Sequence, residues 1–405
     1  MSRNGKQRLV GLPDVQAART RVAPVVRPTL VDRSDSLSRL CGRPVLLKPE
    51  HLQRTGSFKI RGAYNLISQL PPGTPVVAGS AGNHAQGVAL AASLCGLEAT
   101  IFMPLDAALP KVEATRGYGA DVRLVGDVVD ECLTAAIAAA EADGATFVPP
   151  FDHPLIIAGQ GTIGLEVADE APEAEVVVVP VGGGGLVSGV AAALRAARPG
   201  LRVVGVEAEG AASMVASLAA GTPVTLDRVS TMADGIALKS PTELTLAHVT
   251  ELVDDVVTVS EEEISRALLL LLERAKAVVE PAGAVALAAL LAGRVGGDGP
   301  AVAILSGGNV DPLLLIKLIE HGLSAAGRYL RLRIVLPDRP GSLASATSAV
   351  ASLGLNVLAV EHHRAGVHLG VDDVEVLFTV ETRDPDHRQE IVDALRSKGI
   401  DARIQ

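Results

Sequence analysis

Lys59 stands in the stretch TGSFKIRGAY, residues 55–64, between Phe58 and Ile60, with glycines at 56 and 62. A lysine that simply extends into water needs no such setting. A lysine that reacts must first shed its proton, and its ordinary pKa of about 10.4 opposes that. An apolar setting disfavours the ammonium and lowers the value. The pattern suits an amine poised to form a Schiff base with a carbonyl; the plainer reading is a surface lysine. A second stretch, VVVVPVGGGGLVSGV, spans residues 176–190. Gly182, Gly183, Gly184 and Gly185 follow a strand-like run and lead through Leu186 into a helix-like one. Amides without Cβ atoms can close around a phosphate, and a helix N-terminus favours negative charge. The alternative is a flexible turn. The dinucleotide pattern G-x-G-x-x-G can be forced onto this segment, but its mid-chain place weakens that reading.

Two further segments share the logic. GSAGNHAQG, residues 79–87, places Ser80, Ala81, Gly82, Asn83 and His84 between a strand and a helix. Its backbone can form a nest for an anion such as a substrate carboxylate. Asn83 can donate to an oxygen. His84 reads either as a structural histidine or as a base. AILSGGNVD, residues 303–311, ends another strand at Ser306. That hydroxyl can bond a ring nitrogen, or merely sit in a strand-to-helix turn. A reactive amine, a phosphate cup, a carboxylate nest and a hydroxyl for a ring nitrogen meet the needs of pyridoxal phosphate (PLP), which carries an aldehyde, a phosphate, a phenolic oxygen and a pyridine nitrogen.

These segments need a scaffold that brings strand ends together. PVVAGS, ATIFMP, DVRLVG, EVVVVPVG, RVVGVEAE and AVAILSGG read as strands, separated by helical runs such as GVALAASLCG and SGVAAALRAARPG. Alternation of this kind predicts a parallel sheet covered on both faces, with ligands at the carboxyl ends of its strands. The 405 residues are 48% hydrophobic but only 2% aromatic, so the core must be aliphatic. After Gly327 the texture changes to strand, helix, strand, strand, helix, strand. This is a ferredoxin-like βαββαβ unit, and the expected domains are 1–325 and 326–405.

Composition narrows the function classes. A net charge of −10, with no basic stripe, argues against a nucleic-acid binder. No apolar run approaches the roughly 20 residues of a membrane span, and the N-terminus has no signal-peptide run. Three cysteines, Cys41, Cys95 and Cys132, lack metal-ligand spacing and suit a reducing cytoplasm.

The chain resembles the PLP-dependent threonine/serine dehydratases, or ammonia-lyases, of the tryptophan-synthase-β fold type. The resemblance rests on KPEHLQRTGSFKIRGAYN, SAGNHAQGVA, KVEATRGYGADV, IAGQGTIGLE, PVGGGGLVSG, EPAGA and LSGGN, in that order. It implies an α/β fold of two parallel-sheet subdomains. It implies that Lys59 binds the cofactor covalently and that Phe58 packs near its ring. Asn83 would bond the phenolic oxygen. Gly182, Gly183, Gly184, Gly185 and Leu186 would cradle the phosphate, and Ser306 would meet the pyridine nitrogen. Residues 80–84 would take the substrate carboxylate. The tail from Tyr329, with LPDRPGSLA and NVLAVEHHR, resembles an ACT-like domain. That implies either a small-molecule effector and allosteric control, or only a role in cementing an oligomer.

The implied reaction is β-elimination, turning L-threonine into 2-oxobutanoate and ammonia, and secondarily L-serine into pyruvate. Lys59, freed and neutral, would act as general base on the α-proton. Serine racemases of this fold carry a serine immediately before the Gly-Asn-His triplet, where this chain has Ala81. That difference favours elimination over racemisation. Another β-hydroxy amino acid, such as 3-hydroxyaspartate, is an alternative substrate, and a sensor that retains the fold without catalysis is a third reading. Relatives bind a metal at the residue matching Glu207, with ligands matching Ala211 and Ser213. Divalent-ion relatives have a carboxylate where Ser213 stands, so a monovalent cation is the expectation. Thr242 departs from the glycine often found in relatives, which bears on substrate choice. The family sites imply a homo-oligomer, dimer or tetramer. Either a biosynthetic role, as in isoleucine formation, or a catabolic one fits.

Overall fold

The computed structural model describes residues 8–325, 327–364, 370 and 372–405. The chain forms two compact units, Met1–Leu315 and Ile316–Gln405. The first holds two parallel sheets. The larger has six strands in the order Asp32–Arg33, Val45–Lys48, Ala301–Ile304, Val176–Pro180, Arg202–Ala208 and Asp255–Val259. Asp32–Arg33 runs antiparallel to its neighbour, and every other pair is parallel. The smaller sheet has four parallel strands in the order Asp121–Leu124, Ala99–Met103, Val76–Gly79 and Thr146–Phe147.

The burial pattern explains the continuous apolar runs. Every residue of Val176–Pro180 and of Ala301–Ile304 is buried, as expected of strands covered on both faces. Val177, Val179, Val302 and Ile304 pack with Leu186, Val190 and Leu194 of the helix Gly185–Ala197. The smaller sheet has its own core, in which Val76, Ala78 and Ile101 meet Val88 and Ala92 of the helix Asn83–Cys95 and Ile60 of the helix Lys59–Ile67. All six strands expected from the sequence are present. No helix among the described residues is long and apolar enough to cross a membrane.

The second unit carries a four-stranded antiparallel sheet in the order Val357–His363, Asp373–Glu381, Tyr329–Pro337 and Ala402–Ile404, with helices Ser342–Ala351 and Pro385–Ser397. This is the expected βαββαβ order. Leu330, Leu332 and Ile334 alternate along one face and bury against Phe378, Val350 and Leu395. The expected domain change at 325 follows the helix Pro312–Ala325, whereas the compact units divide within that helix. The change of sequence texture marks the first strand of the second unit, not the helix that leads into it.

Candidate active site

Four strand or helix ends converge on one cavity. Strand Val76–Gly79 ends at Ser80, which opens the turn into helix Asn83–Cys95. Strand Val176–Pro180 runs through the glycines into helix Gly185–Ala197. Strand Ala301–Ile304 ends just before Ser306, and Lys59 begins helix Lys59–Ile67. Phe58, Lys59, residues 80–84, residues 182–186 and Ser306 all line this cavity. Residues far apart in the chain therefore meet at the carboxyl ends of parallel strands.

Lys59 is set as its sequence neighbours suggested. Its Nζ donates to the carbonyl of Pro150 at 2.8 Å and lies 5.3 Å from the Phe58 ring centroid. Burial pushes its pKa down to about 8, against the pull of the Glu280 carboxylate. The amine is thus far easier to deprotonate than a lysine in water.

The glycine loop is held rather than loose. A Cβ on Gly183 would lie 2.5 Å from the Phe151 ring. Gly184 has φ +89°, and a Cβ there would lie 2.7 Å from Met214 Cε. Among the described residues, the N–H groups of Gly182, Gly183, Gly184 and Gly185 meet no backbone acceptor. Two of the helices that start here, after Gly82 and Gly184, have no side-chain cap. Free amides and uncapped N-termini suit a phosphate. Ser306 is 4% exposed, and its hydroxyl has only a long 3.5 Å contact to the Ala282 carbonyl, so it keeps capacity for a ring nitrogen. These residues fit pyridoxal phosphate.

The other polar groups are fixed. Asn83 Nδ2 donates to Glu280 Oε1 at 2.6 Å. Burial, with Asp234 nearby, pushes the Glu280 carboxyl up to about 7. His84 Nε2 lies 2.8 Å from the Val148 carbonyl, and burial beside Lys59 pushes the ring down to about 3. The ring is thus held neutral beside that carbonyl. Lys111 is paired with Asp234 at 3.0 Å.

A family model described as pyridoxal-phosphate dependent enzyme matches residues 22–307. The chain belongs to the pyridoxal-phosphate dependent enzymes. A model described as ACT domain matches residues 330–399. The L-threonine ammonia-lyase of Thermotoga maritima is 46% identical over 400 residues, covering 98% of this chain and 100% of that protein. Among solved structures, the processed form of threonine deaminase isoform 2 from Solanum lycopersicum is 39% identical with a TM-score of 0.74, covering 78% of this chain and 95% of that one. Maize serine racemase is 36% identical with a TM-score of 0.74, covering 78% and 99%.

In this PLP-dependent enzyme the remaining sequence candidates fall away from the cavity. Glu207 lies near the end of the strand Arg202–Ala208, and its carboxylate accepts from the N–H groups of Met214 and Val215 at 2.8 and 2.9 Å. Burial pushes it up to about 7. Ala211 lies in the turn between them, and the buried Ser213 hydroxyl has no hydrogen-bond partner among the described residues. No cluster of three His, Cys, Asp or Glu among the described residues is placed to hold a metal ion. Thr242 caps the helix Glu243–Leu252 and donates to Asp152 at 2.8 Å, so its hydroxyl ties a helix start to the residue after Phe151. Sequence reasoning missed Pro150, Phe151, Lys111, Asp234 and Glu280, all of which line the cavity. For Glu280 the motif EPAGA was a usable signal; Pro150 and Phe151 carried none.

Proposed function

We propose that this enzyme is an L-threonine ammonia-lyase that forms 2-oxobutanoate and ammonia, with L-serine as a second substrate. The observation that carries the substrate class is the charge of the cavity. Its lining lysines are Lys59 and Lys111, and Lys111 is held by Asp234. Asp234 balances Lys111, and the buried Glu280 carboxyl adds no positive charge. A second carboxylate on the substrate, as in 3-hydroxyaspartate, would find no uncommitted cation among the described lining residues. A hydroxyl and a methyl group meet no such penalty. The activity named for the Thermotoga maritima relative, similar over its whole length, points the same way.

Lys59 is the residue that holds the cofactor, and its depressed pKa keeps much of the amine neutral near pH 8. The neutral amine takes the α-proton. Bound pyridoxal phosphate supplies the electron sink for the charge left at the α-carbon. The amides of residues 182–186 hold its phosphate, Asn83 its phenolic oxygen and Ser306 its ring nitrogen. Residues 80–84 hold the substrate carboxylate. Ala81 offers no proton donor, which favours elimination over racemisation.

A monovalent cation beside Glu207 is part of the same reading, supported by the buried carboxylate and the unpartnered Ser213 hydroxyl. We read 1–325 as the catalytic domain and 326–405 as an ACT-like module that takes a small-molecule effector in a homo-oligomer. The unpaired thiols of Cys41, Cys95 and Cys132 suit the cytoplasm. Isoleucine formation is one fate for the product. The test is a comparison of 2-oxo acid release from L-threonine, L-serine and L-threo-3-hydroxyaspartate. Threonine should give the highest kcat/KM; preference for hydroxyaspartate would overturn the substrate assignment.

A further inference from the structure

The Asn83 carboxamide is gripped from both sides. Its Nδ2 donates to Glu280 Oε1 at 2.6 Å, and its Oδ1 accepts from Asn309 Nδ2 at 2.7 Å. Asn309 Nδ2 also donates to the Thr55 carbonyl at 2.7 Å. Each gripping side chain sits where a glycine leaves room. A Cβ on Gly56 would lie 2.3 Å from Asn309 Oδ1, and one on Gly307 would lie 2.2 Å from Glu280 Oε1. Gly56 also has φ +69°, a conformation that turns the chain between Thr55 and Ser57 at little cost to glycine alone.

A primary amide has one accepting end and one donating end, and a half-turn exchanges them. A backbone carbonyl only accepts. The Thr55 carbonyl therefore requires the nitrogen of Asn309, not its oxygen. That same nitrogen then requires the oxygen of Asn83. Asn83 must in turn present its nitrogen to Glu280, which can accept whether or not it carries a proton. The orientation is passed from the backbone through two amides to a carboxyl group. One hydrogen of Asn83 Nδ2 is used on Glu280, and the second remains for the cavity.

We propose that Asn309, anchored on the Thr55 carbonyl, is a positioning residue that fixes which end of the Asn83 carboxamide faces the cofactor's phenolic oxygen. Asn309 acts through Asn83 and touches neither cofactor nor substrate. This rests on the cofactor assignment made above for Asn83. Without Asn309, only Glu280 orients Asn83, and a protonated Glu280 can donate to Oδ1 as readily as it accepts from Nδ2, so Asn83 can turn its oxygen toward the phenolic oxygen and repel it. An aspartate at 309 would be worse than an alanine, because it offers acceptors to two acceptors.

The test reads the visible absorption band of the lysine-bound cofactor, its pH titration and PLP affinity, in holoenzyme of wild type, Asn309→Ala and Asn309→Asp. Thermal unfolding of each cofactor-free protein monitors folding. The expected result is a band altered in position or titration, PLP affinity weakened about tenfold in Asn309→Ala and more in Asn309→Asp, and kcat reduced more than KM is changed. Asn309→Ala that unfolds like wild type and matches its band and PLP affinity within about twofold overturns the proposal alone. Wild type that forms no visible band with PLP overturns the cofactor assignment and the proposal with it.

Discussion

Lys59 illustrates how a residue's chemistry and its cost arise from one setting. In the folded protein its pKa falls to about 8, chiefly through burial. In the unfolded chain it returns to about 10.4. Between those values the unfolded state binds more protons, so stability rises with pH across that window. At neutral pH both states are protonated and the buried ammonium is a net penalty. Lys59→Met should therefore stabilise the cofactor-free protein at pH 7 by about 1–3 kcal/mol and flatten the rise above pH 8. Denaturant unfolding of both proteins at pH 7 and pH 10 measures this. A variant no more stable at pH 7 would mean that the lysine is not desolvated. At this scale the sequence was most legible where a residue's type is tied to its chemistry. Lysine, asparagine, serine and a glycine run stood out by their neighbours. Phe151 and Pro150 did not, because packing under a glycine loop and accepting through a carbonyl leave no mark on residue type.

The helix Lys59–Ile67 is held by a buried ionic cluster in its first turn. Arg61 is fully buried and donates to both oxygens of Glu50, each at 2.8 Å. It also reaches Glu166 at 2.6 and 2.8 Å and Thr162 at 3.0 Å. Burial works against the guanidinium charge, but Glu50 and Glu166 outweigh it and raise its pKa. Lys48 joins at 2.8 Å from Glu166 and 3.0 Å from Glu170. Such a cluster is strongly destabilised when one partner is removed, because the opposite charge stays buried. Arg61→Ala should cost about 3–5 kcal/mol in thermal or denaturant unfolding. Arg61→Lys should cost less, since it keeps the charge and loses only the planar fork. A loss below about 1 kcal/mol for Arg61→Ala would show that Glu50 is hydrated or protonated instead. The same cluster explains a missed strand. Val45–Lys48, which ends in a lysine next to proline, is not among the expected strands, yet every residue in it is buried. Its lysine is neutralised by carboxylates far along the chain, Glu166 and Glu170, which no local pattern reveals.

At the scale of the whole molecule, the two units have separate cores. The sheets of the first unit bury their own aliphatic residues, and the second unit closes around Leu332, Phe378 and Leu395. Alternation of strands and helices made the first fold legible, and the change of texture after Gly327 made the second legible. What stayed hidden was contact at long range: the meeting of Asn83 with Glu280 and Asn309, and of Lys111 with Asp234. Of these pairs, the Lys111–Asp234 ion pair commits one of the two lysines lining the cavity, on which the proposed substrate class rests. The most direct test of the central claim is steady-state 2-oxobutanoate release from L-threonine by wild type and Lys59→Ala, each supplied with PLP. Wild type should turn over threonine, and the variant should fall by about a thousandfold or more. A variant that matches wild type would remove Lys59 from the chemistry, and a wild type that leaves threonine untouched would contradict the proposed activity.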